Sequence, residues 1–316
     1  MPAAAPDGKA DPAADLAPNE LRVLVAVDAA GGFTAAAAQL GLTQSAVSHA
    51  VRACERKIGV VLFDRGRHGA RPTPAGVRAV AHARRILRLL ETLGAEARGA
   101  AAGSVEGPLR IAAFRSAAAH LLPAVLARLT VRLPGVRPEV AIVREVGRGT
   151  AGEVADGRAD IGIATLGGSQ AIPAGLLSGR LFEDPYALAY PSGHREPRGL
   201  PLIDWDENCG SYTREWWSAQ EWLPRATITA QDDSVVLSMV AQGMGMAVAP
   251  QLSLLGAPPG LAIEDLGESR PRREIGYVTT PAMARSLAVR TFIRELRSTA
   301  RLPTASGEQP RARSDQ

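Results

Sequence analysis

Between Leu21 and Gly59 the chain is punctuated by glycine in a way that leaves few folds open. Leu21, Leu24, Val25 and Val27 give one apolar side to a helix over Leu21–Ala30, which stops at Gly31-Gly32. A second, short helix over Phe33–Leu40 carries Ala35–Ala38, small enough to let another helix approach closely. Gly41 then supplies a left-handed turn without a Cβ penalty. Thr43 is a good N-cap for a third helix, Gln44–Ile58. In that third helix Val47, Val51, Cys54 and Ile58 recur at helical spacing and predict a buried stripe. The other face presents Gln44, Ser45, Ser48, His49 and Arg52, polar and free of acidic residues. A helix of this kind can enter a major groove, read base edges and receive phosphate at its positive end.

The residues beyond Gly59 strengthen that reading. Val61-Leu62-Phe63 leads into Asp64-Arg65-Gly66-Arg67-His68-Gly69-Ala70-Arg71, which predicts two short strands around an arginine-bearing tip. Such a wing can lie along a nucleic-acid backbone or in a minor groove. Charge is distributed in the same sense. Between Asn19 and Val105 there are twelve Lys/Arg against six Asp/Glu, and over Gly41–Leu90 ten against two. A basic N-terminal third on an otherwise slightly acidic chain suits a polyanionic partner for that third alone, or a solvated basic face. Only Lys9 and Lys57 among the 36 basic residues are lysine, a bias that fits genome composition better than mechanism.

The sequence here resembles the LysR-type transcriptional regulators. The resemblance is carried by Phe33-Thr34-Ala35-Ala36-Ala37, Leu40, Thr43-Gln44-Ser45-Ala46-Val47-Ser48, Glu55, Gly59, Leu62-Phe63-Asp64-Arg65 and Thr73-Pro74-Ala75-Gly76, in the family's order and spacing. Gly32 replaces a frequent serine cap, Ser45 a common proline and Cys54 a usual leucine; these departures touch local stability and base preference. The resemblance implies a winged helix-turn-helix over 19–73 binding double-stranded DNA. Its expected contacts are Thr34, Thr43, Gln44, Ser45, Ser48, His49, Arg52, Arg65, Arg67 and Arg71. It also implies a linker helix and hinge over 74–106 that pairs two subunits. Ala79, Ala83, Ile86, Leu90, Leu93 and Ala97 form an a/d seam there, either between subunits or against the helix's own domain. A homodimer or homotetramer is expected, with RNA polymerase as a further partner of the family.

From Leu109 onward short apolar runs alternate with helical ones: Leu109–Ala113, Val140–Val143, Asp160–Ala164, Tyr186–Tyr190, Ala226–Thr229, Met246–Ala249 and Glu274–Val278. The alternation predicts an α/β domain with a largely parallel sheet. The resemblance makes it a two-lobed effector-binding domain over 107–301, like periplasmic solute-binding proteins. Chain crossings are expected near 183–190 and 272–278, with a helix over Ala282–Leu296 returning to the first lobe. Ligands of such lobes sit beyond the carboxyl ends of strands. That rule selects Arg115, Ser116 and Thr165 from the first lobe and Tyr212, Thr213 and Ser234 from the second, with Met244 and Ala247 as apolar wall. A guanidinium and hydroxyls so placed favour an anionic small-molecule effector. Trp205, Trp216, Trp217 and Trp222 either stack on a planar ligand or form the core of one lobe.

Other function classes find little support. Gly243-Met244-Gly245 has the wrong context for a dinucleotide fingerprint, and there is no phosphate-loop lysine or nucleophile elbow. The five histidines never pair at metal-ligand spacing, so no cofactor, metal or catalytic set is expected. Cys54 and Cys209 stand far apart, and no apolar run reaches the length that spans a bilayer, so no membrane partner is expected. Residues 1–18 and 302–316 are Pro/Ala-rich, polar and expected to be disordered, and 1–17 lacks the apolar core of a secretory signal. A cytoplasmic regulator is therefore expected. A solute-binding protein for uptake is the first alternative and an enzyme the second.

Overall fold

The computed structural model describes residues 15–66, 69–102, 104–167, 171–208 and 211–299. The expectations for Arg67, for 1–14 and for 302–316 lie outside the described residues, as do those for the side chains of Arg65 and Tyr212. The described residues form two compact units: those up to 107 together with 153–159, and those from 108 to 152 together with those from 160 onward.

The first begins with α1 (Pro18–Ala30), α2 (Phe33–Leu40) and α3 (Gln44–Ile58). α1 starts at Pro18 rather than Leu21. Proline suits the first helical turn, and the Glu20 carboxylate accepts the N–H of Ala17 at 2.8 Å. α2 ends at Gly41, whose φ of 66° is the left-handed value a side chain would strain. Thr43 caps α3 by accepting the N–H of Ala46 at 3.2 Å. Val23, Leu24 and Val27 of α1, Ala36 and Ala37 of α2, and Val47, Val51 and Cys54 of α3 share one core. Burial pushes the Cys54 thiol up to about 11, so it packs as a small hydrophobe rather than a nucleophile. β1 (Phe63–Gly66) and β2 (Gly69–Pro72) pair antiparallel, and Leu62, Phe63 and Ala70 join the same core. Gly69 has φ 99° and permits a close approach of two chain segments: a Cβ there would meet the backbone oxygen of Gly31. α4 (Pro74–Ala102) then runs for 29 residues, with Val80 seated in the core.

The remainder proceeds through β3 (Gly107–Ala113), α5 (Arg115–His120), α6 (Leu122–Arg132), β4 (Val136–Ile142), α7 (Gly149–Ala155), β5 (Ile161–Leu166) and β6 (Leu177–Pro191). There follow β7 (Leu202–Trp205), α8 (Ser211–Ser218), β8 (Ala226–Ala230), α9 (Asp233–Ala241), β9 (Ala247–Pro250), α10 (Gln251–Leu254), β10 (Leu261–Asp265), β11 (Arg272–Thr279) and α11 (Leu287–Thr299). The main sheet has the order β10-β6-β11-β5-β3-β4, with β9 also on β6. Strand β6 belongs to two lobes. Its first part pairs with β11, from Leu177↔Thr279 to Pro185↔Arg272. Its second part pairs with β9 and β10, from Tyr186↔Pro250 to Pro191↔Leu261. The chain therefore changes partners within β6, and β11 pairs with the first part of that strand.

The expectation of a largely parallel sheet needs correction. β3–β5 and β7–β8 are parallel, whereas β5–β11, β11–β6, β6–β9 and β6–β10 are antiparallel. Crossing strands cause this: each long crosser runs back along its neighbours and needs no helical connection. The expected Ala282–Leu296 helix is also shorter at its start, a 3-10 turn over Met283–Arg285 preceding α11. α11 packs on α6, which places it in the first lobe.

Gly76 provides a test of the winged unit. A Cβ at this position would sit 1.9 Å from the carbonyl oxygen of Leu62. Gly76→Ala must therefore push the segment leading into β1 away from α4, at a cost of about 1–3 kcal/mol typical of overpacking. Calorimetry should show a lowered unfolding midpoint; an unchanged midpoint would contradict this packing.

Candidate functional site

Two sets of residues concern function, one on each unit. On the first, α3 is oriented by contacts at its far end. Lys57 pairs with Glu20 of α1 at 2.7 Å, and the Lys57 ammonium holds the Glu20 carboxyl below its ordinary range. The Glu55 carboxylate accepts the N–H groups of Leu62 (2.9 Å) and Phe63 (3.3 Å), tying α3 to the start of the wing. Ala70 of β2 donates to the carbonyl of Gly31 at 3.0 Å, and Arg84 of α4 pairs with Asp28 of α1. The N-terminal half of α3 is left outward. Thr34, Thr43, Gln44, Ser45, His49, Arg52 and Arg71 are all exposed, and Thr43 and Ser45 share a hydroxyl hydrogen bond at 3.0 Å.

Ser48 is a correction. The helical pattern put it on the outer face, but it is only 4% exposed, beside Val47 and Val51 on the buried side. Its Oγ accepts a hydrogen bond from Arg52 Nη2 at 2.9 Å. Ser48 thus positions Arg52, and only Arg52 of the two reaches outward. The seam on α4 divides similarly. Ala79 and Ala83 pack within their own unit, Ala79 against the winged core, while Ile86, Leu90, Leu93 and Ala97 are exposed. Leu89 joins the exposed residues, so an apolar stripe at helical spacing remains on Ile86, Leu89, Leu90 and Leu93, the last 65% exposed.

On the second unit the boundary between lobes is built of charge. Arg115, the first residue of α5, forms an ion pair with Asp233, the first of α9, so that the two helices are joined across the lobes. Arg144 after β4 reaches Asp206 (3.1 Å) and Glu207 (3.2 Å) after β7. Arg273 of β11 holds its cross-strand partner Asp184 of β6 at 2.8 Å, donates to Ser116 Oγ at 3.3 Å and lies over the Phe114 ring. Glu145 accepts the hydroxyl and the N–H of Thr150. Burial raises the Glu145 carboxyl above its ordinary range, with the Thr150 hydrogen bonds and the charge of Arg273 opposing and that of Glu207 adding. Glu207 is raised too, again chiefly by burial.

Against this geometry the strand-end expectations are partly corrected. Arg115 and Ser116 do lie at the lobe boundary, but the guanidinium is already taken by Asp233, and Ser116 is buried under Arg273. Thr165 is half-buried in β5. Thr213 is fully buried and donates to the carbonyl of Asn208 at 2.9 Å, closing a local turn. Ser234 bonds Asp232, the N-cap of α9, so the cap stands one residue earlier than Asp233. Met244 is exposed, whereas Ala247 is enclosed in the second lobe's core. Trp205 is core, and Trp216, Trp217 and Trp222 pack against Tyr186, Leu188, Leu202, Met246 and Val248. The missed residues are Arg144, Glu145, Asp206, Glu207, Asp184 and Arg273. The first four follow the ends of β4 and β7, so the same strand-end rule finds them once those strands are placed.

The raised Glu145 carboxyl has a measurable consequence. A carboxyl whose folded pKa lies above its unfolded one costs stability when ionised, and that cost vanishes as pH falls below the unfolded value. Glu145→Gln should therefore raise the unfolding midpoint at pH 7 and leave it near wild type at about pH 4, close to the reference glutamate value. An equal effect at both pH values would contradict burial as the cause.

Comparison with known proteins agrees with both units. A family model described as a bacterial regulatory helix-turn-helix protein of the lysR family matches residues 18–77, and one described as the LysR substrate binding domain matches 102–301. A probable HTH-type transcriptional regulator, LrrA of Synechococcus elongatus, is 36% identical over 301 residues, spanning 92% of this chain and 99% of the relative. Among solved structures, ArgP from Mycobacterium tuberculosis superposes with TM-score 0.68 at 19% identity, over 90% of this chain and 98% of that one. Full-length CbnR complexed with its target DNA gives TM-score 0.62 at 21% identity, over 90% and 100%. With a DNA-binding helix-turn-helix unit and an effector-binding α/β unit matched along their lengths, the chain belongs to the LysR-type transcriptional regulators.

Proposed function

We propose that this regulator reads its operator with Gln44, Ser45, His49 and Arg52 of α3, and that Arg65, Arg67 and Arg71 of the wing contact phosphate or the minor groove. Thr34 and Thr43 add hydroxyls beside the same helix end. The observation that carries this is the exposed N-terminal half of α3, which offers donors and no carboxylate while its far end is tied down by Glu20 and Glu55. Ser48 acts through Arg52. The exposed stripe Ile86–Leu93 of α4 joins two subunits, and a second contact between effector units makes a dimer of dimers. RNA polymerase as a partner rests on the family alone. No helix among the described residues is long and apolar enough to cross a membrane, and a DNA-bound role favours the cytoplasm. The role is regulatory rather than catalytic, the charged groups between the lobes being engaged with one another. The effector is an organic anion, one that must contend with Asp233 for Arg115.

DNA fragments selected by the purified protein from a random pool should share a two-half-site pattern. Gln44→Ala or Arg52→Ala should relax the preference at particular positions, at about 1–3 kcal/mol each. Arg71→Ala should weaken all sequences alike and reduce the slope of log affinity against log salt by about one. Full selectivity in a Gln44→Ala, Arg52→Ala double variant would sink the α3 assignment.

Subunit pairing is tested separately. Leu90→Glu places a charge in the exposed stripe and should halve the mass measured by light scattering, or lower it at a given concentration. An unaltered mass would remove α4 from the interface.

A further inference from the structure

We propose that Asp233 is an internal competitor for the effector: its carboxylate occupies, on Arg115, the place that an effector's own carboxylate takes. The proposal rests on the reading of the effector as an organic anion and deepens it. Arg115 and Asp233 open α5 and α9, helices of different lobes, so this one ion pair is also a tie between the lobes. Their environments are unequal. The Asp233 side chain is nearly enclosed, while that of Arg115 keeps about a third of its surface open to solvent. The guanidinium has further donors besides the Nε that Asp233 engages, so an incoming carboxylate can bind before Asp233 leaves.

Release of Asp233 leaves a nearly enclosed carboxylate without its partner, a cost that the start of α9 offsets in part. It occupies the first turn of a nine-residue helix already capped by Asp232, and a helix start stabilises negative charge. The other cleft arginines do not offer the same opening. Arg273 is largely buried on the fully buried Asp184, and Arg144, though more exposed than Arg115, is held by two carboxylates, Asp206 and Glu207, instead of one. An acid arriving between the lobes therefore exchanges with Asp233, and the exchange unties α5 from α9. Binding and loss of the α5–α9 tie become one event, and a neutral or cationic molecule lacks the group to drive it.

Acetate is a probe small enough to test the exchange without knowledge of the effector. In the full-length protein at constant ionic strength, Asp233→Ala should gain thermal stability with acetate in a saturable manner and not with acetamide. Its half-saturation should lie at least tenfold below any response of wild type. An Arg115→Ala, Asp233→Ala double variant should be unresponsive. Should Asp233→Ala fail to fold, Asp233→Asn, of equal size and without the charge, carries the same titration. Equal acetate responses in wild type and either Asp233 variant, a response that survives loss of Arg115, or no response in either Asp233 variant would each overturn the proposal. Retention of selected DNA by wild type without acetate tests the regulator reading by itself. A protein that binds DNA selectively yet shows a flat acetate response in the Asp233 variants loses only the competitor role of Asp233.

Discussion

The effector unit depends on one strand being shared. β6 is hydrogen-bonded to β11 over its first part and to β9 and β10 over its second, so neither lobe has a complete sheet without it. Asp184 stands at the change of partner. It is fully buried, takes the Arg273 guanidinium on one oxygen and accepts the N–H of Leu252 at 2.9 Å on the other. Burial raises the Asp184 carboxyl, while Arg273 and the Leu252 N–H pull the other way. Such a pair adds little net stability compared with an apolar contact, but removing one member leaves an uncompensated charge. Its effect here is to specify register. A slip of one residue would turn Asp184 to the opposite face and strand Arg273. Because Arg273 also reaches Ser116 and covers Phe114, the register of the crossing sets where α5 begins.

In the DNA-binding unit the logic is reversed: the helix that matters is held by what it does not expose. Val47, Val51 and Cys54 seat α3 in a core to which α1, α2 and the wing strands all contribute. Glu55 commits its carboxylate to two backbone N–H groups at the wing start, and Thr73 ties the wing's end by donating to the carbonyl of Val61 at 2.9 Å. Polar residues at the rear of α3 thus act as fasteners, and those at the front remain open to solvent.

Much of this is legible in the sequence because the winged unit obeys local rules. The limits of α2 and α3, the Thr43 cap and the paired strands of the wing all follow from periodicity and turn chemistry. Ser48 reads as outward because a hydroxyl counts as polar, whereas its partner is an arginine one turn later on the same helix. The first part of β6, Leu177–Pro185, does not read as strand. Its Arg180, Glu183 and Asp184 make it look like a loop, yet the charges of Arg180 and Asp184 are answered by Glu274 and Arg273 of a strand distant in sequence. β7 and β10 are short runs whose strand identity comes from pairing rather than composition. The charged lobe boundary is hidden for the same reason. Arg115 can be placed at a strand end, but its partner Asp233 is set by tertiary structure alone.

If Arg52 reads the operator as proposed, its hydrogen bond to Ser48 has a thermodynamic implication for recognition. A free arginine side chain loses about 2 kcal/mol of rotamer freedom when it is fixed in one geometry. Here part of that ordering is accomplished during folding, because Ser48 cannot move from its buried position and Arg52 is held to it. A guanidinium already aimed loses less entropy on meeting its target, so more of each contact survives as net affinity. Its restricted sweep also makes a misplaced acceptor harder to accommodate. On the proposed reading of α3, the buried hydroxyl thereby sharpens discrimination through what Arg52 is prevented from reaching.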